Sequence, residues 1–550
     1  MSTSRHQATL RSALWAAYGD ALGFMTELAK DKQGVKHRTG REKVTELLPW
    51  RRMIGGIYGA SVELCSGCYS DDTQLRLSTS RAINKYGFFD VEAFAKFELT
   101  VWQSYALGAG RGTKAATQSL TQKNRNWFNN FYAIKNSDYT NGGGNGAAMR
   151  IQPHVWAAQT LSNAESFLID VVKNSITTHG HPRGIAGAVF HAAALASLLN
   201  GNSVTYDQLK QIAVSCQDIP KLILSDDYLS SMWLPEWEEK SAVDIQTAFK
   251  IVSDELLVDL SIVEPWVNSD ALAYDSLITS LQLDKPDLRG SGTKTALIAS
   301  LLTLKLPNIH IQDILVEIVN NIDTDTDTIA TMFGALGGVI TSDLPSEEVQ
   351  DQAYIQQDAE RLYWLSQGKE FEGFVYPNLT QWSPERSAIS NTTLENNIYN
   401  LNGFGQIVPK GKPFNGRQKS FSYQWFDVVL SGFQVLLKIK RQDALDYDSD
   451  NNSIPSQSDS QSESVENAVL TRAPRQESLQ FDFPQDNARN DISIDSLTKE
   501  AIQSQFNPQV IGEHILLLSQ KRELAIESVI SYSSIVAKAK ISRDQKINHR

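Results

Sequence analysis

The run Asp323-Thr324-Asp325-Thr326-Asp327-Thr328 sets three carboxylates at every second position, directly before the small-residue stretch 329–338. Bare carboxylates repel one another, so three of them converge only around a cation that neutralises them. An EF-hand loop is excluded, because its sixth position needs Gly and its twelfth Glu, where this chain has Thr328 and Gly334. A helix-capping role would account for one Asp at a helix start, not for three. A second acidic start, Ser70-Asp71-Asp72-Thr73, precedes another amphipathic stretch. Alone, such adjacent acids read as caps. Together with the first cluster, their carboxylate and hydroxyl oxygens suit magnesium, manganese or calcium rather than zinc or copper. Two such clusters would make a two-metal site, with ions about 3.5–4 Å apart.

Glycine-rich turns supply a different chemistry. Gly142-Gly143-Gly144-Asn145-Gly146 and Gly290-Ser291-Gly292-Thr293 each lead into helical sequence, and Gly108-Ala109-Gly110-Arg111-Gly112-Thr113 is a weaker third case. Turns of this kind bring backbone N–H groups close to phosphate oxygens, although a flexible loop has the same composition. The segment 19–27 reads as a helix ending at Gly23, with Glu27 exposed in the next loop. Thr178-His179 stands before an Ala-rich stretch, where a histidine on its own is ordinarily structural. Cys65 and Cys68 form a Cys-x-x-Cys pair with no second ligand pair for zinc. With Cys216 they make three cysteines, too few for a disulfide framework, so a reducing cytoplasm is expected.

The elements that must position these groups read as helices. Leu10, Leu14, Ala17 and Ala21 follow helical spacing, as do Leu75, Thr79, Ala82 and Ile83. Stretches 186–199 and 294–304 are rich in Ala and Leu, and an all-α domain fits them better than a doubly wound sheet. Four parts are expected over the 550 residues: a helical domain over 1–370, an extension of unknown role over 371–442, a disordered linker over 443–495, and helical sequence over 496–550. The linker expectation rests on acidic, Ser-rich composition that buries too little apolar surface to offset its ordering entropy. The formal net charge of -12 argues against a nucleic-acid partner. A local basic run over 36–52 reads as a solvated loop. The apolar stretch 426–439 is too short to span a bilayer, so no membrane partner is expected.

In chain order, these segments resemble the ADP-ribosylglycohydrolase family. The pieces are GDALG with Glu27 following, SDDT at Ser70, GNGAAMR at Gly144, TH at Thr178, G-x-G at Gly290 and DTDT-I-A at Asp325, all within residues 10–345. The resemblance implies an all-α fold and two magnesium or manganese ions, with Ser70, Asp71, Asp72, Asp325, Asp327 and Thr328 as ligands. It implies that Glu27 is a mobile-loop glutamate beside the scissile ribose, and that Glu27, Asp71, Asp72 and Asp327 are the candidate acids and bases. Gly144, Asn145, Gly146, His179, Gly290 and Gly292 are implied contacts to the diphosphate and riboses. The implied reaction is hydrolysis at the distal ribose that frees ADP-ribose from a modified protein side chain or other acceptor. The chain departs from the family in two places. Asp323 and Thr324 replace two glycines, which would add charge near the diphosphate, and Thr293 stands where an aromatic residue often follows the G-x-G. The first departure, with the long tail, motivates an alternative: a non-catalytic ADP-ribose binder, or an immunity protein that blocks an ADP-ribosyltransferase. The tail could also tether a partner protein.

Overall fold

A computed structural model describes residues 4–135, 137–444, 493–519 and 525–548. The expected linker therefore lies, over 445–492, outside the described residues.

Helix α1 (Arg5–Phe24) starts where the Ser4 hydroxyl accepts from Gln7 N, and α2 (Lys32–Thr39) starts at an Asp31 cap. A hairpin of β1 (Trp50–Ile54) and β2 (Ala60–Leu64) follows, paired antiparallel with Arg52 opposite Val62. Next come α3 (Asp71–Arg81), α4 (Arg111–Leu120), α5 (Pro182–Leu199), α6 (Gly292–Leu302), α7 (Thr326–Ile340) and α8 (Gln352–Ser366), among further helices of the same layer. By length and composition α5 could cross a membrane, but 83% of it is buried inside the protein.

Small residues set the central contact. A Cβ on Gly23 of α1 would stand 2.5 Å from Thr326 O and from Asp327 Cα of α7, and one on Gly19 would strike Ala330 O. From the other side, a Cβ on Gly338 would stand 2.6 Å from Arg11 O, and one on Gly334 would strike Trp15 O. Glycines at four-residue spacing on both helices thus let two backbones touch, closer than ordinary side chains permit. Hydroxyls of α7 close the gap: Thr326 Oγ1 donates to Gly23 O at 3.0 Å and Thr331 Oγ1 to Ala16 O at 2.8 Å. This contact brings the acids of α7 to the end of α1.

The all-α expectation for the first domain holds, and the extension of unknown role that follows is a small β-sheet. There the chain forms β3 (Thr392–Glu395), β4 (Ile398–Leu401), β5 (Gly405–Asn415), β6 (Phe421–Val428) and β7 (Gln434–Lys440), an antiparallel sheet with neighbours in chain order. Asn396 and Asn397 join β3 to β4 with φ of 49° and 64°, the two-residue turn whose twist suits a hairpin. The extension packs into the helical core. Phe97 meets the rings of Phe374, Tyr376, Trp382 and Phe404. Arg81 and Glu98 form a buried ion pair at 2.7 Å, Tyr376 donates to Glu98 Oε1 at 2.8 Å, and the guanidinium lies over Phe404 and Phe433. The C-terminal segment, expected to be helical sequence, forms three helices, α9 (Ile494–Gln503), α10 (Pro508–Ser519) and α11 (Ala525–Asn548). They dock on the chain's own surface through Asp495 N to Glu92 Oε2 and Ser528 Oγ to Thr380 O.

Candidate active site

Asp20, fully buried on α1, fixes the start of α3. Its Oδ1 accepts from Ser70 N at 2.9 Å, and its Oδ2 accepts from the Thr73 backbone at 2.8 Å and hydroxyl at 2.5 Å. Ser70 Oγ accepts from Asp72 N at 3.2 Å, and Leu107 O accepts from Asp71 N at 2.7 Å. Asp71 and Asp72 are thereby held at one helix start, facing the start of α7. There Thr328 Oγ1 lies 3.4 Å from Asp72 Oδ1, and Asp327 Oδ1 accepts from Thr328 N at 2.9 Å. Asp325 Oδ2 accepts from Asn145 Nδ2 at 2.8 Å, which ties the acidic face to the glycine turns. Asp72 Oδ2 is buried with no hydrogen-bond partner among the described residues.

Burial raises the proton affinity of this cluster. Asp71, Asp72 and Asp327 are pushed well above the carboxylate range, first by desolvation and then by each other's charge and that of Glu27, Asp20 and Asp325. Glu27 is raised by burial against the opposing pull of Arg52. A divalent ion would relieve both penalties, and the donors are all oxygen, as hard cations require. Among the described residues, no three His, Cys, Asp or Glu side chains already converge as a preformed metal cluster. The orphaned Asp72 oxygen fits an ion better than it fits an empty core.

The wall opposite is built from two paired turns: Asn145 N donates to Gly290 O at 2.9 Å and Gly292 N to Gly143 O at 2.9 Å. His179 stands beneath them. Arg150 donates to Thr178 Oγ1 at 2.8 Å, and that oxygen lies 2.7 Å from His179 Nδ1. The Thr178 hydroxyl can then donate to Nδ1, which assigns the ring proton to Nε2. Burial and Arg150 hold the pKa of His179 down at about 3, so the ring is neutral. Floor and wall enclose a cleft of about 340 Å³.

Of the residues singled out by sequence, Glu27, Asp71, Asp72, Gly144, Asn145, Gly146, His179, Gly290, Asp325, Asp327 and Thr328 line this one cleft. Ser70 and Gly292 stand directly behind it, Ser70 as the cap of α3 and Gly292 packed against Gly184 and Gly144. The expected convergence of three acids is corrected: Asp323 is exposed and outside the lining, because it precedes the turn that opens α7. Glu27 is also corrected, being buried rather than exposed. Its Oε2 accepts from both terminal nitrogens of Arg52 at 2.9 Å. So the basic run 36–52 is not wholly a solvated loop. Arg38 donates to Glu27 O at 2.7 Å, whereas Lys36, Arg41, Lys43 and Arg51 form exposed ion pairs. Sequence reasoning left Asp20 and Arg52 without a role; the only signal for Asp20 was its place in the GDALG segment. Tyr132 lines the cleft as an aromatic surface, while Thr293 is buried outside it.

No curated protein matches the chain by sequence. A solved structure titled "ADP-ribosylglycohydrolase-related protein complex" is similar at 18% identity with a TM-score of 0.42, covering 66% of this chain and 99% of that one. That likeness is too distant to carry an argument. Residues 1–371 match the family model described as ADP-ribosylglycohydrolase, which spans the whole cleft and stops before the sheet. The chain belongs to the ADP-ribosylglycohydrolase family, a family of glycosidic-bond hydrolases.

Proposed function

We propose that this hydrolase frees ADP-ribose from a modified acceptor, a protein side chain or another ADP-ribosylated group, by cleaving the glycosidic bond at C1″ of the distal ribose. Magnesium or manganese would be held by Asp71, Asp72, Asp325, Asp327 and Thr328, with Ser70 completing the set that the family resemblance implies. When bound, such ions neutralise the carboxylates and polarise the ribose hydroxyls. The observation that carries this reading is the partnerless, buried Asp72 Oδ2 among acids that repel one another in a cleft.

The chain's own residues do the rest. Both Arg52 bonds fall on Oε2 of Glu27, so Oε1 is the oxygen offered to a water or a leaving group. Burial raises the proton affinity of this carboxyl, which suits it to exchange a proton at Oε1, given to the leaving-group atom as the C1″ bond breaks or taken from the attacking water as the new bond forms. The N–H assigned to His179 Nε2 and the paired turns offer donors along which a diphosphate can lie. Three cysteines are too few for a disulfide framework, which is what supports a reducing, cytoplasmic setting. The binder alternative drew on Asp323, and Asp323 lies outside the cleft lining.

The test is a release assay on ADP-ribosyl-arginine, ADP-ribosyl-serine and ADP-ribosylated nucleic acid, after chelation and after magnesium is restored. Release of ADP-ribose from one of them, restored by magnesium, is expected. Tight ADP-ribose binding with no release from any substrate would overturn the reading.

A further inference from the structure

Glu27 sits in a turn that is clamped from two sides. Arg38 takes the backbone: its guanidinium donates to Met25 O at 3.4 Å, Glu27 O at 2.7 Å and Leu28 O at 3.3 Å. Arg52 takes the side chain, and its guanidinium carbon also lies 4.6 Å from the centre of the Phe24 ring, at the end of α1. The turn between them is strained, with Leu28 in the left-handed region at φ 54°. A left-handed leucine persists only where its surroundings over-determine it, so the clamps hold Glu27 against a local preference for another path.

Arg38 belongs to α2, but Arg52 belongs to the β1–β2 hairpin, and the hairpin leans on the C-terminal extension. Gln418 N donates to Tyr58 O at 3.4 Å and Arg417 N to Gly59 O at 3.2 Å, both at the hairpin tip. Trp425 Nε1 donates to Glu63 O at 3.1 Å on β2. The Tyr423 hydroxyl lies against Gly55, where any side chain would strike it. Four contacts thus join the sheet to the strand pair that carries Arg52. None of residues 371–444 is among the cleft lining, so the sheet acts on the cleft through the elements it packs against, and this hairpin is the one that carries Arg52.

We propose that Arg52 is a positioning residue that holds the Glu27 carboxylate in place, and that the C-terminal sheet serves the reaction by holding the Arg52 hairpin. This gives the extension a task at the site without a contact to substrate. The proposal rests on the role given above to Glu27, and its test must stand apart from that role.

Hydrogen exchange in the full-length protein without substrate supplies the independent readout. In Arg52→Ala, the Thr26, Glu27 and Ala29 amides, each bonded within the turn, should exchange at least about tenfold faster. Tyr423→Ala should have the same effect in weaker form, while helix α7 stays protected. Unchanged exchange over 26–29 in Arg52→Ala overturns the proposal. Faster exchange in Arg52→Ala with none in Tyr423→Ala overturns the sheet's share of it. On a substrate that the wild type hydrolyses, Arg52→Ala should lose kcat about tenfold with KM within about twofold, because Arg52 holds the turn and is not among the cleft lining. A raised KM with kcat intact would instead make Arg52 a binding residue and overturn the assignment. Absence of wild-type turnover on every substrate would fault the hydrolase reading alone, and the exchange result would still decide this one.

Discussion

The Thr328 hydroxyl lies 3.4 Å from Asp72 Oδ1, across 256 residues of chain. Neither residue reaches the other through its own element. Asp20 and the Ser70 cap hold the start of α3, and the glycine contact between α1 and α7 delivers Thr328 beside it. The second Asp72 oxygen is buried with no partner among the described residues, the arrangement on which the proposed cation site rests.

Protons and metal should compete for the cluster. The folded-state pKa values of Asp71, Asp72 and Asp327 are raised, so the metal-free protein binds more protons folded than unfolded. Their contribution to stability is full below about pH 4, the ordinary carboxylate value, and is lost as pH rises through the raised values. Magnesium should therefore raise the melting temperature little at about pH 5 and by several degrees at about pH 8. Thermal scans with magnesium or chelator at both pH values check this; an equal shift at both would count against it.

Gly23→Ala should cost about 1–3 kcal/mol or more, since its Cβ meets α7 backbone at 2.5 Å and neither helix can yield without moving Asp327. Gly34→Ala, inside α2 where the nearest atom is 3.6 Å away, should instead stabilise by about 0.5–1 kcal/mol. Urea melts of the two variants should show opposite signs.

Arg81→Ala would leave Glu98 charged, buried and bonded only to the Tyr376 hydroxyl, a change that costs about 3–5 kcal/mol. It also removes the guanidinium from between Phe404 and Phe433, so the sheet should loosen with the core. A chain ending at residue 370 would expose the Phe97 cluster and should lose soluble, cooperatively melting protein. A wild-type melting curve for either variant would show that the extension is independent of the helical domain.

The sequence made the chemistry of the acids legible because carboxylates at helix starts, far apart in the chain, need a cation to meet. It misjudged Asp323 because even spacing says nothing of where a helix begins: α7 starts at Thr326, so Asp325 and Asp327 turn inward and Asp323 stays in solvent. Arg52 was hidden for a different reason. Its partner Glu27 lies 25 residues back, and only the pairing of β1 with β2 aims it there. The sheet carries one local signal, Asn396-Asn397 between two short runs, but strands this short have too little alternation to stand out in sequence. The glycines of α1 and α7 read in the sequence as a helix end at Gly23 and a small-residue stretch, and only the crossing of the two helices gives them their purpose.

Magnesium-dependent release of ADP-ribose by the wild type, Asp72→Asn and Asp327→Asn is the most direct test. The two substitutions lie on separate helices, remove one charge each and preserve shape. If both acids hold the same ions, each variant alone should lose magnesium binding and slow release by more than about 100-fold, with its fold intact by circular dichroism. Wild-type release by either variant, or release indifferent to chelation, would contradict the account.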